Sequence, residues 1–342
     1  MTQLGFRHLV LGLMCAGASC RNQSDAAHTG SKSGDAASPS ATTTHAGVTP
    51  LVTLEGVDTA RLSPREKQLF SQYVTEAIAP CKDVAVSVAQ CVSEKRDCKA
   101  CLPAARYLVH QAQSGRDKKV VTELYKARFD PAEVKTLVLE GSPTKGPADA
   151  PITMVEFADF ECGGCGQMFP LLEQLQETYG KYLRFSFKHF PIEDKHPNAR
   201  FAALASIAAA EQGKFWSMYS LLYQHQDALA PANIEEHAVA IKLDLDRFRK
   251  FAQGPEAKQR LERDLTQAES LGVEGTPTIF INGRNLPFPQ LTVDEIEAWL
   301  DLDLELAGID PKPLHAGTEP AGSASAGPSA APTAAPSGHP AP

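Results

Sequence analysis

Two cysteines at i and i+3, in Cys162-Gly163-Gly164-Cys165, follow an apolar, strand-like run from Ile152 to Phe160 and precede a helical run from Gln167 to Tyr179. On a first helical turn such a pair sits at roughly 5–6 Å between Cα atoms, within reach of a disulfide. The unpaired N–H groups and the dipole of the helix start stabilise a thiolate at the first cysteine. The second, one turn in, is shielded yet close enough to resolve a mixed disulfide. Thiol–disulfide exchange is therefore the chemistry expected, with Cys162 attacking and Cys165 resolving. A structural disulfide or half a metal site is the alternative for the spacing alone, and the strand and helix flanks disfavour it.

Glu156 lies on the same strand face as Ile152, Met154, Ala158 and Phe160 by period-two counting. A carboxyl among apolar neighbours is costly unless neutral or partnered, so it is a candidate proton donor and acceptor for Cys165. An edge acid facing water is the other reading. Downstream, Gly275-Thr276-Pro277-Thr278-Ile279-Phe280-Ile281 places Pro277 at the head of a strand, and Asn282-Gly283 turns it back toward Asn285 to Phe288. Such a proline is either an edge device or a cis peptide. His189 and His196 lie near enough in sequence to keep a metal carrier in view.

Between these strands, 196–212, 214–229, 233–251 and 256–271 read as four helices, with Phe201, Leu204, Phe215, Trp216, Tyr219 and Tyr223 on inner faces. Thr292-Val293-Asp294-Glu295 reads as a capping box opening a last helix that buries Ile296, Trp299 and Leu300.

The stretch from 60 to 141 also reads as helical. Ser63-Pro64-Arg65-Glu66 is a capping box, Leu69, Phe70, Tyr73, Val74, Ala77 and Ile78 follow at helical spacing, and Asp130-Pro131-Ala132-Glu133 repeats the start signal. It holds Cys81, Cys91, Cys98 and Cys101. Two structural disulfides of undetermined pairing are the first expectation. A second redox pair at Cys98 and Cys101 and a four-cysteine zinc site are the alternatives. Leu102 stands where covalent haem attachment needs His.

The whole chain has 342 residues, enough for about two domains, and 43% are hydrophobic, enough for a core. Its 33 Lys and Arg against 41 Asp and Glu give a net charge of −8 with no basic cluster, which argues against nucleic acid as a partner. Apolar runs fall short of the roughly 18–20 residues of a spanning helix. Eight cysteines favour an oxidising compartment or a metal site. Arg7, the apolar stretch from Leu9 to Ala18, the small residues Gly17-Ala18-Ser19 and then Cys20 resemble a bacterial lipoprotein signal, although Gly17 stands where Leu is usual. An ordinary cleavable signal is the alternative. Residues 1–20 are thus expected to be a leader with Cys20 lipidated, 21–58 a disordered linker, and 310–342 a disordered Pro/Ala/Ser tail.

Residues 147 to about 308 resemble the DsbA-like branch of the thioredoxin superfamily. The likeness rests on Val155-Glu156-Phe157-Ala158-Asp159-Phe160-Glu161-Cys162-Gly163-Gly164-Cys165, on Phe187-Lys188-His189-Phe190-Pro191, and on Gly275-Thr276-Pro277-Thr278, in that order. It implies an α/β thioredoxin-like fold with a helical insertion over 146–309; the helical signals before it read as a small all-α cysteine-containing domain over 59–142. It implies that Pro277 is cis and packs on the active-site pair, that Thr276 offers backbone hydrogen bonds to a bound peptide, and that Glu156 is a buried proton relay. It implies a protein disulfide oxidoreductase that assists disulfide formation in cysteine-containing substrate proteins and is recycled by a membrane redox partner. The dithiol itself carries the two electrons, so no cofactor is expected, and the leader places the protein in the periplasm with membrane contact only through a lipid anchor. Gly163-Gly164 departs from the Pro-His of strongly oxidising relatives, which leaves the direction of electron flow open. The rivals are a reductase or isomerase kept reduced by a membrane donor, and a non-catalytic peptide-binding module.

Overall fold

The computed structural model describes residues 50–288 and 290–315. The expected leader, Cys20, the linker up to residue 49 and the tail from 316 lie outside the described residues. Order begins earlier than the composition suggests. Leu54 and Val57, assigned above to the linker, are buried in the main hydrophobic cluster, because Val52 N–H donates to Ser71 Oγ and holds this segment on the first helix. At the other end, 312–315 form one 3₁₀ turn that brings the His315 ring to Asp301 at 3.0 Å.

Among the described residues four helices come first: α1 (Pro64–Glu76), α2 (Val88–Ser93), α3 (Cys101–Gln113) and α4 (Lys118–Phe129). Ser63 and Glu66 close both halves of the capping box on α1. The start signal at Asp130 opens only a 3₁₀ turn, Pro131–Glu133, because Val134 is already extended. Disulfides join Cys81 to Cys98 and Cys91 to Cys101, so Cys98 and Cys101 are each bonded, but not to each other.

Strands β1 (Thr144–Lys145), β2 (Ile152–Ala158), β3 (Leu183–His189), β4 (Thr278–Ile281) and β5 (Arg284–Asn285) form one sheet in the order β1-β3-β2-β4-β5. The pair β2–β3 is parallel and spans α5 (Gly163–Tyr179); β1–β3, β2–β4 and β4–β5 are antiparallel. The expected return strand is short and ends at Asn285. Between β3 and β4 run α6 (Ala199–Ala210), α7 (Phe215–Gln224), α8 (Pro231–Ala240), α9 (Leu245–Gln253) and α10 (Pro255–Leu271). These are five helices where four were expected. The stretch from 233 to 251 breaks after Ala240: Lys242 takes a left-handed φ of 59°, Leu243 N–H closes back on Ala238 O, and Asp244 caps the next helix through Arg247 N–H.

The last helix, α11 (Val293–Leu306), packs with α5 on the face made by Ile152, Met154, Ile279 and Ile281. Val155, Phe157 and Phe280 on the opposite face meet Ala268 of α10. The same main cluster includes Phe70, Val88, Leu108 and Leu124 of α1–α4, so the four-cysteine region and the sheet share one core. Two buried polar knots fasten them. Glu295 accepts from Tyr107 Oη at 2.6 Å, Gln111 Nε2 at 2.9 Å and Trp299 Nε1 at 3.1 Å, and pairs with Arg116. Arg128 pairs with Asp303, and Asn282 Nδ2 donates to the same carboxylate at 3.0 Å. Thr292 does cap α11 through Glu295 N–H, but the Glu295 side chain is drawn into this knot, so only half of the expected capping box forms.

Candidate active site around Cys162 and Cys165

The site sits where β2 gives way to α5. Cys162 is the N-cap residue of α5, with extended backbone, and Cys165 lies one turn in. Both are free thiols; Cys162 is half-buried and Cys165 is buried. The loop before them is tied down by carboxylates. Asp159 accepts from Glu161 N–H at 2.8 Å and Ile192 N–H at 2.8 Å, and its Oδ2 lies 2.7 Å from His196 Nδ1. Glu161 accepts from Asn198 N–H at 2.6 Å. The approach to Cys162 is thereby pinned to the segment that enters α6.

The electrostatics separate the two cysteines. The hydrogen bond from the Cys165 thiol is the largest influence on Cys162; burial opposes it, and Thr276 and the N–H groups of Cys165 and Gly164 add to it. Together they hold the Cys162 thiol at about 5, far below its ordinary 9.0. The helix-start N–H groups thus assist the Cys165 thiol, as does Thr276, whose buried hydroxyl has no other partner among the described residues. Burial, the bond given to Cys162 and the nearby Glu156 charge push Cys165 well above the ordinary thiol range.

Glu156 is 1% exposed, and both its carboxyl oxygens lack a hydrogen-bond partner among the described residues. Burial, then the Cys162 charge, raise it to about 8. The period-two reading of its face is thus correct, and the edge-acid alternative is not. The hydroxyls of Tyr219 and Tyr223 are likewise buried without partners, and their rings stack around Phe160 and Phe169 beside Cys165.

The Thr276–Pro277 peptide is cis. Cys162 Sγ lies 3.4 Å from Thr276 O, and a Cβ added at Gly164 would stand 3.3 Å from Pro277 Cδ. The proline loop therefore faces the dithiol directly. Nothing local in the sequence marks Gln226, whose side-chain amide donates to Phe160 O at 2.7 Å and Cys162 O at 2.9 Å from the loop after α7. Nor does the site gather the histidines. His189 spends Nδ1 on Asp264 and Nε2 on Ser206, at 2.9 and 2.8 Å, and His196 turns to Asp159.

The family model for Thioredoxin matches residues 139–302. Among curated relatives, a stretch of 140 residues is 46% identical to the Na(+)/H(+) antiporter NhaA 3 of Salinispora tropica, covering 41% of this chain and 21% of that protein. Another, of 142 residues, is 38% identical to the Na(+)/H(+) antiporter NhaA of Herminiimonas arsenicoxydans, covering 42% and 22%. The chain spans about a fifth of the length of these relatives. Among solved structures, oxidised BdbD from Bacillus subtilis is similar at 23% identity and a TM-score of 0.45, covering 50% of this chain and 97% of that one. The thiol-disulfide exchange protein alpha-DsbA2 from Wolbachia pipientis is similar at 18% and 0.41, covering 58% and 97%. The matched residues hold the β-α-β unit, the cysteine pair at the start of α5, the cis-proline loop and the helical insertion, and it is this part of the chain that is similar to the Thioredoxin family model.

Proposed function

We propose that the protein is an exported thiol–disulfide oxidoreductase that passes the Cys162–Cys165 disulfide to cysteine-containing substrate proteins. The observation that carries this reading is the asymmetry of the pair: a half-buried thiol held at about 5 beside a buried one pushed far up. A structural staple has no use for that difference, whereas exchange requires an accessible leaving thiolate and a protected resolving thiol.

In the oxidised enzyme a substrate thiolate attacks Cys162 Sγ. The Cys162–Cys165 bond breaks, and Cys165 leaves with the electron pair. Glu156, neutral below about 8, gives its proton to Cys165. A second substrate thiolate then attacks the substrate sulfur of the mixed disulfide, and Cys162 departs as a stabilised thiolate. The substrate has lost two electrons and the enzyme has gained them. The backbone of Thr276 beside Pro277 guides the substrate segment across Cys162. A membrane redox partner withdraws the two electrons, no further cofactor is required, and Cys20 carries the lipid that keeps the protein at the periplasmic membrane.

The stabilised Cys162 thiolate favours the reduced form and hence an oxidising pair. The test is the reduction potential of the pair after equilibration in glutathione buffers. A value near about −120 to −180 mV supports disulfide donation. A value near about −250 mV or below overturns it in favour of a reductase.

A further inference from the structure

The sulfurs of Cys91, Cys98 and Cys101 all lie within 4.8 Å of one another, although they belong to two different disulfides. Cys81 is the one cysteine of the four outside that group. It is also the more exposed one: Cys91 and Cys101 are buried and Cys98 is 9% exposed, whereas Cys81 is half-buried on the wall of an open cavity of about 540 Å³ that Ile78, Val84 and Tyr125 also line. The three-sulfur group faces a second cavity, of about 380 Å³, lined by Lys95 and Arg96. Cys101 is the first residue of α3, a helix start with no side-chain cap; of the two cations, Lys95 pairs with Glu55 on the same cavity wall at 3.1 Å and Arg96 pairs with Glu94.

We infer that the four-cysteine region is a second thiol–disulfide centre, one that accepts electrons from a dithiol at Cys81 and moves the opening inward by exchange between its two disulfides. A donor thiolate attacks Cys81 Sγ, the Cys81–Cys98 bond breaks, and Cys98 leaves as a thiolate inside the sulfur group. The donor's second thiol attacks its own bonded sulfur, which closes the donor as a disulfide and releases Cys81 as a thiol. Cys98 then attacks the Cys91–Cys101 bond, forms a disulfide with one of its sulfurs, and releases the other as a thiolate that takes a proton from water. The donor loses two electrons and the protein gains them; the last step is electron-neutral. Every exchanged product has Cys81 free and Cys98 still bonded. This centre needs neither Cys162 nor Cys165.

The experiment uses the full chain carrying Cys15→Ser, Cys20→Ser, Cys162→Ser and Cys165→Ser, so that electrons are scored in this region alone. One equivalent of dithiothreitol is added, the sample is acid-quenched and alkylated, and the tryptic peptides are mapped by mass spectrometry. Lys82, Lys95, Arg96 and Lys99 place each of the four cysteines on a different peptide. The expected result is Cys81 alkylated while Cys98 is disulfide-bonded to Cys91 or Cys101. Cys81 and Cys98 alkylated together with Cys91–Cys101 intact overturns the inference, as does Cys81–Cys98 surviving while the other pair opens, or no alkylation in the folded protein. Cys81→Ser gives an independent reading. Its Cys98 thiol should share the remaining disulfide, so that more than one pairing is recovered; recovery of Cys91–Cys101 alone overturns it equally.

Discussion

The side-chain amide of Gln226 donates to the carbonyl oxygen of Cys162 at 2.9 Å, and to that of Phe160 at 2.7 Å. The Cys162 carbonyl also accepts from Gly166 N–H at 3.0 Å, the first bond of α5. Gln226 therefore braces the residue that begins the active-site helix from the far side of the insertion. A Cβ added at Gly166 would come within 1.9 Å of its Oε1, so the glycine is what allows the approach.

Replacing Gln226 with Ala should leave the fold intact and cost about 1–3 kcal/mol, as two carbonyls lose a donor. The looser helix start should hold the Cys162 thiolate less well, so thiolate absorbance should appear at higher pH than in the wild type. Gln226→Glu, which cannot donate when ionised, should move it the same way. Gly166→Ala should reproduce both effects by displacing Gln226. A thiolate titration unchanged in all three variants would show that Gln226 only packs.

The parts of the site written in adjacent residues were legible: strand, Cys162-Gly163-Gly164-Cys165 and helix carry their geometry in local spacing, whereas the spacing left Thr276-Pro277 open between an edge device and a cis peptide and only the family resemblance favoured cis. Glu156 was legible because a strand alternates with period two. Gln226 was not, since it reaches Cys162 from 64 residues away and no local pattern marks a lone amide. The pairing of Cys81 with Cys98 and Cys91 with Cys101 depends on how three short helices cross. Glu295 sat in a sound capping signal, yet its side chain serves α3 instead, because a buried Tyr107, Gln111 and Arg116 outcompete a solvated cap. The break after Ala240 hid behind Lys242, a left-handed position that carries no glycine to announce it.

Glu156 should set a pH-dependent cost. Its carboxyl ionises near 4.5 in the unfolded chain and at about 8 when buried. Between those values the unfolded state gives up a proton that the folded state keeps, so stability falls as pH rises from 4.5 to 8. Glu156→Gln removes the titration. In the dithiol form, urea unfolding should show the variant gaining on the wild type from pH 4 to pH 8 by a few kcal/mol, while its rate of disulfide exchange falls. An equal difference at both pH values would mean that Glu156 does not titrate in this window.

Glu295 should act with the opposite sign. Burial pushes its carboxyl up, but the bonds from His110, Tyr107 and Gln111 outweigh that and hold it at about 2. Its stabilisation is therefore complete above about 4.5 and disappears as pH falls through 2. Glu295→Ala leaves Arg116 and Tyr107 facing a gap between α3 and α11, which should cost about 3–5 kcal/mol at pH 7. Urea midpoints of wild type and variant should converge as pH approaches 2. Persistence of the full difference at pH 2 would assign the effect to packing instead of charge.

The lowered Cys162 thiol should be visible as a difference in stability between the two redox forms. In the dithiol form Cys162 is a thiolate above about 5 in the folded protein, but only above about 9.0 when unfolded. Folding of the reduced protein thus gains stability as pH rises from 5 toward 9, and loses it as pH falls back through 5. The disulfide form has no such titration. Melting temperatures of the two forms should therefore separate progressively from pH 5 to pH 8, the reduced form gaining, and the separation should stop changing below pH 5. Cys162→Ala, with no thiol to ionise, should lose the trend. Parallel pH profiles for the reduced and oxidised wild type would mean that the helix start does not hold the thiolate, and disulfide donation would lose its driving force.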